Sequence, residues 1–346
     1  MDNNFINLFE YAPKSELVVE HHTIKKARFP IIDIHSHFGA FVLGNDYEKK
    51  YDTAEVVAKL KEYGIRNIVN LDGMFGTELD RMLKKIHPYE EFILTFGNVD
   101  VSKLDEKDFE AYVSRTLAES KGKGIKGLKF WKNISLALKD KKGMYIPIDD
   151  MRLKVIWETA AELNLPVLIH IADPVAFFKP IDTNNERYEE LIHHPDWSFY
   201  GEGMFKFEEL MEMQENLISS NPNTTFIIAH GGSYAENLGF VGRCLDSYRN
   251  MYIDFADRIS EFGRQPYSSR KFFSRYKDRI VFGSDGFPLS PNYSNYFRFL
   301  ETWDEYFEYS ACKIPPQGRW NIYGIGLEDD VLKRIYYENA EKLLGL

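Results

Sequence analysis

His35 and His37 close an apolar run, Ile31–His37 (IIDIHSH), and stand two residues apart. On a β-strand that spacing turns two side chains the same way, so two imidazoles can be offered to one ion. Asp33 shares the same alternation one step deeper. The pattern of a polar group ending an apolar run recurs at Lys129 (125–131, IKGLKFW), His170 (165–170, LPVLIH), His230 (225–230, TFIIAH) and Asp285 (279–285, RIVFGSD). A single histidine on a strand is ordinarily a satisfied core or surface residue. Here four of the nine histidines occupy such ends together with a carboxylate. Clustering so many polar groups costs desolvation that a core avoids unless the groups satisfy one another or share a cation. Nitrogen and carboxylate donors in this combination point to a catalytic divalent metal.

Elements able to bring these ends together recur along the chain. Apolar, β-branched stretches at 31–37, 65–71, 92–98, 125–131, 165–171, 224–230, 250–255 and 279–284 alternate with helical patterns. Eight such units predict an α/β fold, a (β/α)8 TIM barrel whose core spans about 29–290 within a single domain over 1–346, with the chemistry at the carboxyl ends of the strands. Asp52 with Glu55 reads as a helix start and Gly64 as its stop. Asp149 and Asp150 open a helix with Leu153, Ile156, Ala160 and Leu163 on one face. An N-terminal extension (1–28) is expected beneath or beside the barrel, and residues 293–309 and 328–345 read as closing helices. Residues 174–204 form a connection much longer than the usual two to six residues of a βα loop, which suggests a lid or binding segment. Within it, His193 and His194 face different ways and read as lid surface.

Composition narrows the function. Hydrophobic residues make up 44% and aromatics 15%, enough for a large core. A net charge of −10 argues against a general nucleic-acid or anionic-membrane surface, so the expected partner is a small molecule. Cys244 and Cys312 have no metal-ligand spacing, no apolar run reaches membrane-span length, and the first twenty residues lack a secretory pattern. The expected location is the cytoplasm, and a homo-oligomer is the default assembly.

The order His35-Ser36-His37, His170, His230 and Gly283-Ser284-Asp285-Gly286-Phe287-Pro288, with the closing segment Tyr337–Leu344, resembles the amidohydrolase superfamily. The branch is amidohydrolase family 2, which also holds metal-dependent decarboxylases similar to aminocarboxymuconate-semialdehyde decarboxylase. The resemblance implies that His35, His37, His170 and Asp285 hold one divalent ion, zinc above all, although iron, manganese or nickel accept a similar donor set. His230 is then a ligand of a second ion or a group facing the substrate. Lys129 has three readings: a carbamylated ligand bridging two ions, a holder of a substrate carboxylate, or a charge extending to solvent.

In the hydrolytic reading implied by that resemblance, Asp285 takes a proton from an activated water and later delivers it to the leaving group, while His230 stabilises the carbonyl oxygen. The bond cleaved is C–O or C–N, in a lactone, ester or amide of a small anionic substrate. The chain has no GxSxG elbow, in keeping with water as the attacking species. Trp131 can wall the pocket and Arg187 can clamp a carboxylate, or pair with Glu189 or Glu190. Lys132 and Lys179 read as solvated charges ahead of holders of a substrate carboxylate. The alternative is decarboxylation of an unsaturated or aromatic acid, which uses nearly the same residues. A barrel that binds without turnover would lack a proton-handling residue, yet His230 and Asp285 are both present.

Overall fold

The computed structural model describes residues 6–290 and 292–346. Eight strands pair in parallel in chain order: β1 (Ile31–Ser36), β2 (Ile65–Met74), β3 (Ile93–Gly97), β4 (Gly127–Phe130), β5 (Val167–Ile169), β6 (Phe226–Ile228), β7 (Met251–Asp254) and β8 (Ile280–Val281). The seam between β8 and β1 is drawn together by backbone bonds from Ile34 N to Phe282 O and from Asp285 N to His35 O, at 3.0 and 2.8 Å. Helices cross between the strands, and the result is the expected TIM barrel.

Every expected strand is present, but most are shorter than their apolar runs. The chain leaves regular pairing early where it aims a functional group. After β8 it turns through Asp285 (φ +74°) and Gly286 (φ +76°), and after β6 through His230 (φ +58°) and Gly231 (φ +71°). Left-handed backbone is uncommon for residues with a Cβ, and such strain concentrates at functional sites.

The interior of the barrel is hydrocarbon at its lower end. Ile32, Ile34, Val69, Leu71, Leu94, Phe96, Leu168, Ile227 and Val281 pack together, joined by Ala340 and Leu344 of the last helix. Gly127 is required here. A Cβ on it would lie 2.4 Å from Phe96 Cζ, so the missing side chain makes room for the ring. A larger apolar layer fills the space between the strands and the surrounding helices.

The expected helix starts hold. Asp52 accepts from the backbone N–H of Ala54 and Glu55 before the helix Thr53–Tyr63, and Gly64 ends it in the left-handed region. Asp150 caps a tight turn that runs into the helix Lys154–Glu162. The first closing helix covers only Tyr293–Glu301, because Asp304 is drawn into a buried bond with Arg298 Nε at 2.6 Å and the chain must leave the helix to reach it. The second is continuous from Asp329 to Leu344, with a widened turn at Arg334–Glu338. Residues 1–5 of the N-terminal extension lie outside the described residues. The remainder runs along the side of the molecule, where Arg319 holds the Leu8 and Tyr11 carbonyls and His22 pairs with Asp304 at 2.5 Å. Among the described residues no helix is long and apolar enough to cross a membrane.

Candidate metal centre

The carboxyl ends of the strands open into a cavity of about 560 Å³ lined by His35, His37, Lys129, Trp131, His170, Arg187, His230 and Asp285, among others. All eight candidates named from the sequence therefore meet in one place. Their geometry sorts them into distinct roles.

His35 Nε2, His37 Nε2 and the Asp285 carboxylate face one another, with Asp285 Oδ1 3.8 Å from the first and 3.5 Å from the second. The three donors lie within 4.8 Å of one another, and His35, His230 and Asp254 form an overlapping trio within the same limit. His230 Nε2 is 3.9 Å from Asp285 Oδ2. Burial keeps the His37 and His230 imidazoles well below their ordinary pKa and pushes His170 down to about 4. Neutral imidazoles and a carboxylate are the forms a metal requires, so this donor set fits a divalent ion.

Two expectations about direction need correction. Asp33 does not join His35 and His37. The pairing of β1 with β2 shifts register between Asp33 and Ser36, which breaks the simple alternation. Asp33 instead accepts from the hydroxyls of Ser284 and Tyr293 at 2.5 and 2.7 Å. His170 lies beside the trio, its ring centroid 4.3 Å from that of His230. Its Nε2, however, faces Asp173 Oδ1 at 3.2 Å and not the Asp285 carboxylate. Asp173 competes for that nitrogen, and the ring would have to turn to complete the expected set of four.

Lys129 does not extend to solvent. It is fully buried, with Nζ 3.4 Å from His35 Nε2 and 4.8 Å from the centroid of the Trp131 ring. Burial brings its pKa down to about 8, against the pull of Asp285 and Asp254. Trp131 walls the cavity, stacked on His37 at 5.0 Å and packed against Phe41 at 4.2 Å between ring centroids. Arg187 lines the cavity, but of its two expected roles it takes the pairing with Glu190, joined by Glu261, and not that of a free clamp for a carboxylate. Lys132 is no solvated charge. Its ammonium pairs with the buried Asp173, and Arg258 approaches the same carboxylate at 4.0 Å. His193 and His194 are exposed, as lid surface should be.

The segment 174–204 folds over the opening as short helical turns, Val175–Phe178, Tyr188–His193 and Pro195–Trp197, and contributes Phe177, Glu190 and Trp197 to the wall. Sequence reasoning missed Asp173, Asp254 and Arg258. Asp173 follows His170 by three residues, and Asp254 ends an expected strand, so both carried the same strand-end signal.

A model of the family described as Amidohydrolase, family 2, matches residues 28–346. None of the curated proteins matches the chain in sequence. Among solved structures, the chain is similar to a TIM-barrel protein from Bordetella bronchiseptica (13% identity, TM-score 0.54, covering 92% of this chain and 99% of that one). It is also similar to 2,6-dihydroxybenzoate decarboxylase from Rhizobium (13% identity, TM-score 0.59, 92% and 99%). A third is a dihydroxybenzoic acid decarboxylase from Polaromonas sp. JS666 with bound manganese and 2-nitroresorcinol (14% identity, TM-score 0.58, 92% and 97%). At these identities the likeness speaks for the fold. The family match, spanning nearly the whole barrel and its closing helices, places this chain in the amidohydrolase family.

Proposed function

We propose that the chain is a metal-dependent hydrolase that cleaves a C–O or C–N bond of a small anionic substrate. The observation that carries this reading is the position of Asp285, whose two oxygens reach toward His37 on one side and His230 on the other. His35, His37 and Asp285 would hold the ion, with His170 able to join by turning away from Asp173. A divalent ion at such a site supplies Lewis acidity and lowers the pKa of water toward about 7, and zinc suits the donors, though manganese in one structural relative makes it an equal candidate. Asp285 would take the proton from attacking water and return it to the leaving group. His230 would stabilise the developing oxyanion. Lys129 would hold a substrate carboxylate, and the rings of Trp131, Phe41, Phe177 and Trp197 would enclose a flat, apolar body.

Decarboxylation of an aromatic or unsaturated acid is the second reading, favoured by two observations. The cavity combines aromatic walls with the buried ammonium of Lys129, and the two decarboxylases above share the fold. Incubation of the metal-loaded protein with panels of lactones, esters, amides and hydroxybenzoates separates the two. Hydrolysis yields a new carboxylate, whereas decarboxylation releases carbon dioxide. Turnover confined to the benzoates would replace the hydrolase reading with the second one.

A further inference from the structure

Asp254 closes β7 and is fully buried, and its two oxygens have different partners. Oδ1 accepts the backbone N–H of His230 at 2.8 Å and of Ala256 at 3.1 Å. Oδ2 faces His35 Nδ1 at 2.8 Å. A carboxylate only accepts, so the nitrogen opposite must carry the proton. At the other edge of the ring, His35 Nε2 meets the Lys129 ammonium, which only donates, at 3.4 Å. Both edges of His35 therefore specify the same tautomer, with the lone pair on Nε2.

His230 reaches the same state by another route. Its Nδ1 lies 2.8 Å from the Ala256 carbonyl oxygen, again an acceptor only. Ala256 is itself tethered to Asp254 Oδ1, as is the backbone N–H of His230. The contact between β7 and β1 must pass the chain that continues β8, and Gly283 makes this possible. A Cβ there would fall 2.9 Å from His35 Cβ and 3.4 Å from Asp254 Cβ.

We propose that Asp254 is a positioning residue that sets the proton position of His35, so that an unprotonated Nε2 turns toward Asp285, while it anchors the backbone of Ala256, whose carbonyl oxygen sets the same state in His230. The consequence for metal affinity rests on the metal-dependent reading above. The tautomers themselves do not.

Asp254→Asn is the discriminating variant because it keeps the shape of the side chain. The amide oxygen is pinned by two backbone N–H donors, so the amide nitrogen must face His35 Nδ1, donor against donor. His35 escapes that clash by moving its proton to Nε2, which removes the lone pair a cation needs. Long-range ¹H–¹⁵N spectra of the metal-free protein should show both His35 and His230 protonated at Nδ1 in the wild type. In Asp254→Asn only His35 should switch, with His230 serving as an internal control. Zn²⁺ affinity measured by chelator competition should fall about 10–100-fold, the usual effect of losing a partner that orients a ligand. A wild-type His35 protonated at Nε2 overturns the proposal even if the variant fails to fold. An unchanged His35 tautomer in Asp254→Asn overturns it as well. Tautomers that switch as expected, in a wild-type protein that binds neither Zn²⁺ nor Mn²⁺, would support the proposal and overturn the metal-dependent reading instead.

Discussion

The two ends of the barrel are built from the same strands and obey opposite rules. The lower interior is closed by Ile32, Val69, Leu94, Phe96, Leu168, Ile227 and Val281 with Leu344 from the last helix, and it is filled with hydrocarbon. A few residues further along, the same strands end in His35, Lys129, His170, His230, Asp254 and Asp285, nearly all of them buried. Burying apolar side chains is favourable at about 25 cal/mol per Å², whereas burying polar ones is unfavourable unless each finds a partner. The lower end therefore holds the fold, and the upper end can carry function only because its groups are paired. The difference is visible in the backbone too. His230, Asp257 and Asp285, all of which line the cavity, are held at positive φ, a strain the packed lower strands do not show.

Substitutions that separate the two ends test this contrast. The largest effect on catalysis is expected from Asp285→Asn, which should lower kcat/KM by about 10²–10⁴-fold while leaving the thermal midpoint close to wild type. Asparagine tolerates the left-handed backbone at this position, so an accompanying loss of stability would blur the division. Phe96→Ala should do the opposite. It should cost about 3–5 kcal/mol in denaturant unfolding, from lost burial and the cavity left over Gly127, with turnover per folded molecule retained. A weaker effect is expected at the wall of the site. Trp131→Ala removes the ring that stacks on His37 and covers Lys129, and should raise KM about tenfold or less, in line with ~0.5–1.5 kcal/mol for an aromatic contact. The change His193→Ala lies on the exposed outer face of the lid and should move neither stability nor kinetics by more than about 0.5 kcal/mol.

Much of this division is legible in the sequence, because alternation and strand-end position are local properties. The runs that carry His37, Lys129, His170, His230 and Asp285 at or near their ends announce both a strand and the polar group at its mouth. What local pattern cannot carry is pairing across the fold. Asp33 continues the alternation of His35 and His37, yet a register shift against β2 sends it to Ser284 and Tyr293. Arg187 can be read from its neighbours as a clamp or as a partner of Glu190, but not as the partner of Glu261, seventy-four residues away, which also takes its guanidinium. His170 reads as a ligand, and only its bond to Asp173 shows that a competitor for the same nitrogen sits three residues on. Asp254 lies in an expected strand and Arg258 follows it, but nothing near them in sequence names His35 or Asp173 as partners.

The central claim is that the imidazoles and the carboxylate at the upper end form a site for a divalent cation. Elemental analysis after exposure to Zn²⁺ or Mn²⁺ and removal of excess ion, on the wild type and on His37→Ala, tests it most directly. The wild type should retain about one ion per chain, as three protein ligands with an open position would hold, and His37→Ala should lose it. A wild-type protein that retains no ion, or a variant that retains as much as the wild type, would contradict the account.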